Sequence, residues 1–407
     1  MKRILSFFVF TILMVVGALA QNATSSPSSR FGYGELNDNL PGAYRAMGGV
    51  GMGMRSRKAI NPAQPASYTA CDSMTFMFDL AGSFLYTNYG DDNGQRNRLN
   101  GNLEYMTLQF PIWRQYIAFS AGITPYTAVG YSFALNDSVG SSYHHTKTYS
   151  GEGGVTQVYG GLSFNICNWF ALGVNAYYMF GEITKSRMLN FTDASLKSTS
   201  QSEKLSIGSL RLRYGAQLFH TFGKKHTVVI GGVFENKQRF SHSEYVQVET
   251  TTNDTVEMMN NAFELPMMYG AGVSYSYAER LTIAVDYQCQ NWKETTYYNK
   301  EGQLKMRHRW VVGAEYRHDP MSRAYASQIF WRLGANYTTS YSMITNTPEI
   351  GLSAGIGFPL RTIGTVINTT FEYGHRGAMS GGTLSENYLR FVVNAAIAEN
   401  WFFKRKL

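Results

Sequence analysis

The residues that could do chemistry in this chain are few and poorly spaced for it. Its three cysteines, Cys71, Cys167 and Cys289, form no metal-ligand spacing, and an odd count leaves at least one unpaired. His144-His145 sets two imidazoles side by side without a carboxylate or cysteine cluster, the pattern of surface histidines. The run Gly48-Gly49-Val50-Gly51-Met52-Gly53 lacks the lysine and the strand-to-helix setting of a phosphate-cradling loop. No G-x-S-x-G elbow or other placed nucleophile accompanies the serines and histidines. The expectation is a protein that is not an enzyme and uses no metal or cofactor.

What remains is a set of charges at regular places: Arg211, Arg213, Asp286, Arg309, Glu315, Arg317, Arg332, Glu372 and Arg390. Each falls on the polar side of a segment that alternates apolar and polar residues. Leu210, Leu212, Tyr214, Ala216 and Leu218 share one side of such a segment, and Arg211, Arg213, Gly215 and Gln217 share the other. Arginines alternating with leucines cannot both face hydrocarbon, so the charges point into an interior. There they form either a selective polar track or, more commonly, a salt-bridged network that anchors whatever fills the interior.

The elements that position them are strands. A period of two sustained along the whole chain, one face greasy and the other small or polar, marks a barrel whose outside touches lipid. About fourteen such segments lie between residue 73 and residue 398. The set Leu265, Met267, Tyr269, Ala271, Val273 and Tyr275 is expected to face outward, as is Cys289. Connections alternate between tight turns, such as Cys167-Asn168 and Ala278 to Arg280, and long polar stretches near 131–152, 183–203 and 242–261. Short turns at one end and long loops at the other is the outer-membrane pattern. Aromatics make up 14% of the chain, with 28 tyrosines, and charged residues only 16%, against roughly 25% in soluble domains.

Residues 1–20 read as a signal peptide, with Lys2 and Arg3 before the apolar run Ile4 to Val16 and an A-x-A site at Ala18-Leu19-Ala20, so that the mature chain would begin at Gln21. No later apolar run reaches the roughly 18 residues a spanning helix requires. The net charge of +8 is diffuse and includes the leader's two cations; without a basic cluster or recognition motif it gives no case for nucleic acid. The expected fold class is therefore all-β: a transmembrane antiparallel β-barrel of about fourteen strands, residues 72–407. Residues 21–71 lack alternation and are rich in glycine and proline, as a plug (hatch) in the lumen would be. A fourteen-stranded barrel is too wide to be filled by its own side chains alone.

The segment Arg45-Ala46-Met47-Gly48-Gly49-Val50-Gly51 followed by Asn61-Pro62-Ala63 resembles the N-terminal hatch of FadL-type (OmpP1/FadL/TodX-like) outer-membrane proteins. The hatch residues carrying the likeness are Arg45, Gly48, Gly49, Asn61, Pro62 and Ala63. The end, Glu399 to Leu407, is similar to the C-termini of such barrels in Bacteroidota, including the PorV-like branch linked to type IX secretion, although the basic Lys404-Arg405-Lys406 departs from the usual aromatic end.

The resemblance implies passive uptake of a hydrophobic ligand such as a long-chain fatty acid, through the lumen and sideways into the membrane. In the family a kink in the third strand opens the wall, and here Pro125 falls in the third segment, where it removes a ladder hydrogen bond; the alternative is that the strand ends there. A second reading is a PorV-like barrel that binds proteins, in secretion or as a subunit of an outer-membrane complex. Expected partners are outer-membrane lipids, a fatty-acid-like ligand, the barrel-assembly machinery during biogenesis and, on the second reading, a secretion-complex protein. Both chain ends are expected in the periplasm of a Gram-negative cell. Asp137-Ser138-Val139 and Asp254-Thr255-Val256 match a short O-glycosylation pattern.

Overall fold

A computed structural model describes residues 24–38, 40–91, 94–139, 143–191, 197–240, 243–250, 254–260, 263–343, 348–360, 364–377 and 385–400. The expected leader, the mature start at Gln21 and the terminal Trp401-Phe402-Phe403 lie outside these residues. No described helix is long and apolar enough to cross a membrane.

Fourteen antiparallel strands close into a barrel. They are β1 (Thr75–Asp91), β2 (Gly94–Trp113), β3 (Ile117–Val139), β4 (Tyr143–Cys167), β5 (Phe170–Phe191), β6 (Thr199–Phe222) and β7 (His226–Glu235). After a long connection come β8 (Met267–Tyr277), β9 (Leu281–Asn291), β10 (Arg307–Tyr316), β11 (Phe330–Thr338), β12 (Glu349–Pro359), β13 (Val366–Arg376) and β14 (Ser385–Asn400). Each strand pairs with its neighbour in sequence, and β14 closes on β1 with Ile397 opposite Phe78 and Glu399 opposite Phe76. Closure pairs the first strand with the last, so that the backbone within the ring is satisfied without water, which hydrocarbon demands.

Alternation sets the two faces. Leu172, Tyr178, Leu210, Tyr214, Trp310 and Trp331 are exposed on the outside, while Asn175, Arg211, Gln217 and Asp286 are buried inside. At one end the strands join by tight turns. Ala278 and Glu279 take φ of 50° and 55°, and Arg280 N donates to Tyr277 O across 2.8 Å, a primed turn whose twist suits a hairpin.

Four expectations need correction. The stretches near 131–152, 183–203 and 242–261 are largely strand rather than loop: β3 to β6 run on past the apolar band, and Ser243–Thr250 pairs with both Asp254–Asn260 and β6. Past the membrane a strand has no need of a greasy face, so the signal fades while the backbone ladder continues. Leu265 faces inward and is fully buried, because it pairs with Gln238 in a short ribbon that folds over the lumen before β8 begins. Cys289 lies at the outer-face register but is covered, opposite Tyr269 in the ladder. His145 is a buried ring 5.8 Å from Phe191, not a surface histidine. Among the described residues no cluster of metal-ligating side chains forms.

Candidate functional site

The interior is organised by the segment that precedes β1. Its residues 40–71 sit in the turn half of the lumen, and small side chains on the inner wall make room for them. Facing glycines pair across adjacent strands: Gly173 with Gly215, Gly231 with Gly272, Gly313 with Gly334. Side chains on Gly313 and Gly334 would run into the backbone of Met47, and one on Gly231 into that of Met52. On the hatch side Gly48 takes a φ of 74°, and a Cβ there would come within 2.7 Å of Ala335 O. Glycine at this place permits both the left-handed turn and the close approach.

Irregular backbone buried inside a barrel must find partners for its amides and carbonyls, and the inner-wall side chains supply them. Asp286 accepts from three consecutive hatch amides, Gly51 N at 2.5 Å, Met52 N at 2.8 Å and Gly53 N at 3.3 Å. Arg309 donates to the carbonyls of Gly48 at 3.0 Å and Gly49 at 3.3 Å. Asn61 closes the hatch loop on itself by donating to Gly51 O at 2.7 Å, and Ala63 is buried beneath it. The Pro62 carbonyl accepts from Tyr177 at 3.0 Å, Asn175 at 3.1 Å and Arg213 at 3.3 Å.

Charges complete the fastening. Arg45 reaches Glu104 on β2 at 2.8 Å and Glu372 on β13 at 3.4 Å, and Arg390 shares Glu372 at 3.4 Å. Asp38 receives Arg307 at 2.8 Å and Arg309 at 3.1 Å. Burial alone would raise the Asp38 carboxyl, but those two guanidiniums hold it well below the usual carboxylate range. Arg211 and Arg213 both pair with Glu235. The remaining three residues singled out from sequence sit apart. Arg332 pairs with Glu315 at 2.6 Å and Arg317 with Glu279 at 3.3 Å, near the turn rim and without a hydrogen bond to the hatch among the described contacts.

The sequence reading missed the other half. Residues 24–37 do not stay with the rest of the hatch in the turn half. They climb into the half with the long hairpins, where the Tyr33 ring lies 5.7 Å from Phe240, 5.5 Å from Trp292, 5.3 Å from Tyr297 and 6.1 Å from Phe263. Tyr33 also donates its hydroxyl to Glu264 O at 3.2 Å, and Tyr341 donates to Gly34 O at 2.5 Å. The buried apolar cluster around this ring extends over Tyr126, Val155, Ile183, Ile207 and Leu265. The only sequence cue was the pair of aromatics spaced by glycine in Phe31-Gly32-Tyr33-Gly34.

Near Pro125 the wall changes partners. β2 and β3 pair from Trp113/Ile117 to Met106/Ile123 and no further among the described residues. Beyond a register shift at Pro125/Thr127, Thr127 and Ala128 pair with hatch residues Leu36 and Glu35 instead. Gln95 to Leu99 of β2 are exposed at the resulting split. The proline thus marks neither the end of β3 nor an ordinary ladder position, but the point where a barrel strand turns to the hatch. The described cavities are small: about 20 Å³ beside Asp38, Asp286 and Arg309, and about 120 Å³ beside Glu35, Arg307, Arg376 and Glu386.

A closed fourteen-stranded antiparallel barrel with a hatch seated in its lumen is an outer-membrane β-barrel of FadL-like fold. Solved structures share it: a FadL homologue of Pseudomonas aeruginosa at 11% identity and TM-score 0.61 (89% of this chain, 98% of that one), and the Ralstonia pickettii toluene transporter TbuX at 14% and 0.60 (89% and 98%). The P. putida toluene transporter TodX matches at 11% and 0.59 (90% and 100%). At such identities the likeness is one of fold. No curated protein matches the chain. The chain belongs to the BamG family, whose model matches residues 1–407.

Proposed function

We propose that this barrel serves as a protein-binding subunit of an outer-membrane assembly, with its turn end in the periplasm. The filled lumen carries this reading: charged side chains fix the lower hatch, an aromatic core closes the upper half around Tyr33, and the cavities beside Asp286 and beside Glu386 are small, with charged groups set among apolar ones. A conduit for hydrophobic molecules needs apolar walls along its path, and a lumen held by buried ion pairs opposes their passage. Membership of the BamG family fits an assembly context. Native mass spectrometry after gentle detergent extraction tests it: a stoichiometric protein partner is expected, and a particle carrying lipid alone would overturn it.

A second reading has its own observation, the split beside Pro125. An unzipped wall lets a hydrophobic compound leave sideways without crossing the polar lumen end to end, and two neighbours of this fold are toluene transporters. Fatty-acid-like and monoaromatic ligands both belong to this reading. Uptake of toluene or a fluorescent fatty acid into proteoliposomes above the rate of empty vesicles would establish it.

A further inference from the structure

The hatch carries its most basic segment, Arg55-Ser56-Arg57-Lys58, to the turn end of the lumen, where Arg55 is tied inward to Ala66 O at 2.8 Å and Thr69 at 3.0 Å while Arg57 is exposed. Arg55 lies 4.0 Å from the Phe219 ring near the end of β6, Lys58 lies 5.3 Å from the Phe330 ring at the start of β11, and Arg57 lies 3.8 Å from Asp72 just before β1. Arg57 is 68% exposed, and that pair is too long and too wet to neutralise it. Around the rim, Lys224 and Lys225 in the β6–β7 turn are exposed, and neither has an acidic partner among the described residues. Two of the nearby acids are engaged by other cations, Glu279 by Arg317 and Asp319 by Arg280, and Asp72 lies 3.8 Å from Arg57. Burial, and then Arg317, push the Lys58 ammonium down, against the opposing pull of Glu279 and Glu315, which are themselves paired with Arg317 and Arg332.

We propose that this cationic mouth is a docking site for an acidic segment of a water-soluble protein on the turn side of the membrane. The proposal rests on the partner-binding reading and adds the partner's chemistry. Charge complementarity selects an anionic occupant, and position selects its kind. Arg55 to Lys58 lie on the hatch within the ring of strands, whereas lipid headgroups lie outside that ring and present a flat surface that cannot enter it. A flexible acidic peptide can enter the mouth and meet hatch and rim together.

The test uses the full-length barrel in nanodiscs of phosphatidylcholine and a fluorescent deca-glutamate peptide read by anisotropy, with deca-glutamine as control. Binding is expected for glutamate only, falling steeply with salt. Combined Arg57→Glu, Lys58→Glu, Lys224→Glu and Lys225→Glu should weaken it about tenfold or more, roughly 1.4 kcal/mol. Heat-modified gel mobility confirms that the variant is a folded barrel, and a second variant reversing only Lys224 and Lys225 should fall between. Equal binding of deca-glutamine, or affinity unchanged by the reversals, would overturn the proposal. So would retention of phosphatidylglycerol by the wild-type barrel but not by the four-site variant in native mass spectrometry, which would make lipid the occupant. A stoichiometric partner found by native mass spectrometry alongside a negative peptide result would sink the mouth but leave the partner reading intact.

Discussion

The two halves of the lumen are closed by different physics. In the turn half, hatch backbone is held by directed contacts from the wall, amides to Asp286 and carbonyls to Arg309, on a seat cut by paired glycines. In the hairpin half, one aromatic side chain of the hatch is held by other aromatics and by apolar wall residues. Directed contacts fail abruptly when a partner is removed, since a buried group left unpaired loses its full desolvation energy. Apolar packing degrades with the volume removed. The lower closure should therefore behave as a latch and the upper as a stopper.

Removal of one latch partner should give the largest effect. Asp286→Ala strands three hatch amides, at about 1 kcal/mol or more each, so a loss of roughly 3 kcal/mol or more is expected in the seating of residues 45–54. Faster trypsin cleavage after Arg55 or Arg57 and rising conductance in planar bilayers would show it. Gly334→Val should act similarly by filling the seat, since its Cβ would meet the Met47 backbone. Unchanged cleavage in both variants would mean that the latch is not what seats the hatch. Tyr33→Ala comes next, at about 3 kcal/mol for an aromatic truncation, and should free residues 24–37 while leaving the lower hatch protected. If both halves open together in that variant, they are one cooperative unit and the distinction fails.

Much of the latch was legible in the sequence and almost none of the stopper. Arg211, Arg213, Asp286, Arg309, Glu372 and Arg390 betrayed themselves because a charge inside a lipid-facing period has nowhere to point but inward. The hatch motif was visible for the same kind of reason, as Gly48 and Gly49 stand where no strand pattern runs. Glu104, which completes the Arg45 network, was hidden in the blurred alternation of β2. The stopper is assembled from Phe240, Phe263, Trp292 and Tyr341, spread over separate connections. Their meeting depends on how those connections fold over the lumen, and no local period encodes that. The Pro125 signal was real but ambiguous, since a proline reads alike at a strand end and at a change of partner.

The smallest expected effects lie where latch and stopper meet. Asp38 stands between the halves with Arg307 and Arg309, and its carboxyl is held below the ordinary range. A depressed value stabilises the folded state fully above the unfolded carboxylate value, ~3.9, and that stabilisation is lost as pH falls through the folded one. Hatch protection should thus be flat from neutral pH to ~4 and decline only in stronger acid, with Asp38→Asn protected less at neutrality and showing less of that acid loss. A decline beginning near neutrality would assign the junction to some other group. Tyr33→Phe probes the same boundary from above. It keeps the ring in its cage and removes only the hydroxyl that donates to Glu264 O, about 1 kcal/mol. If Tyr33→Phe instead matched Tyr33→Ala, the upper closure would also be a latch, and the lumen would be held by one physics throughout.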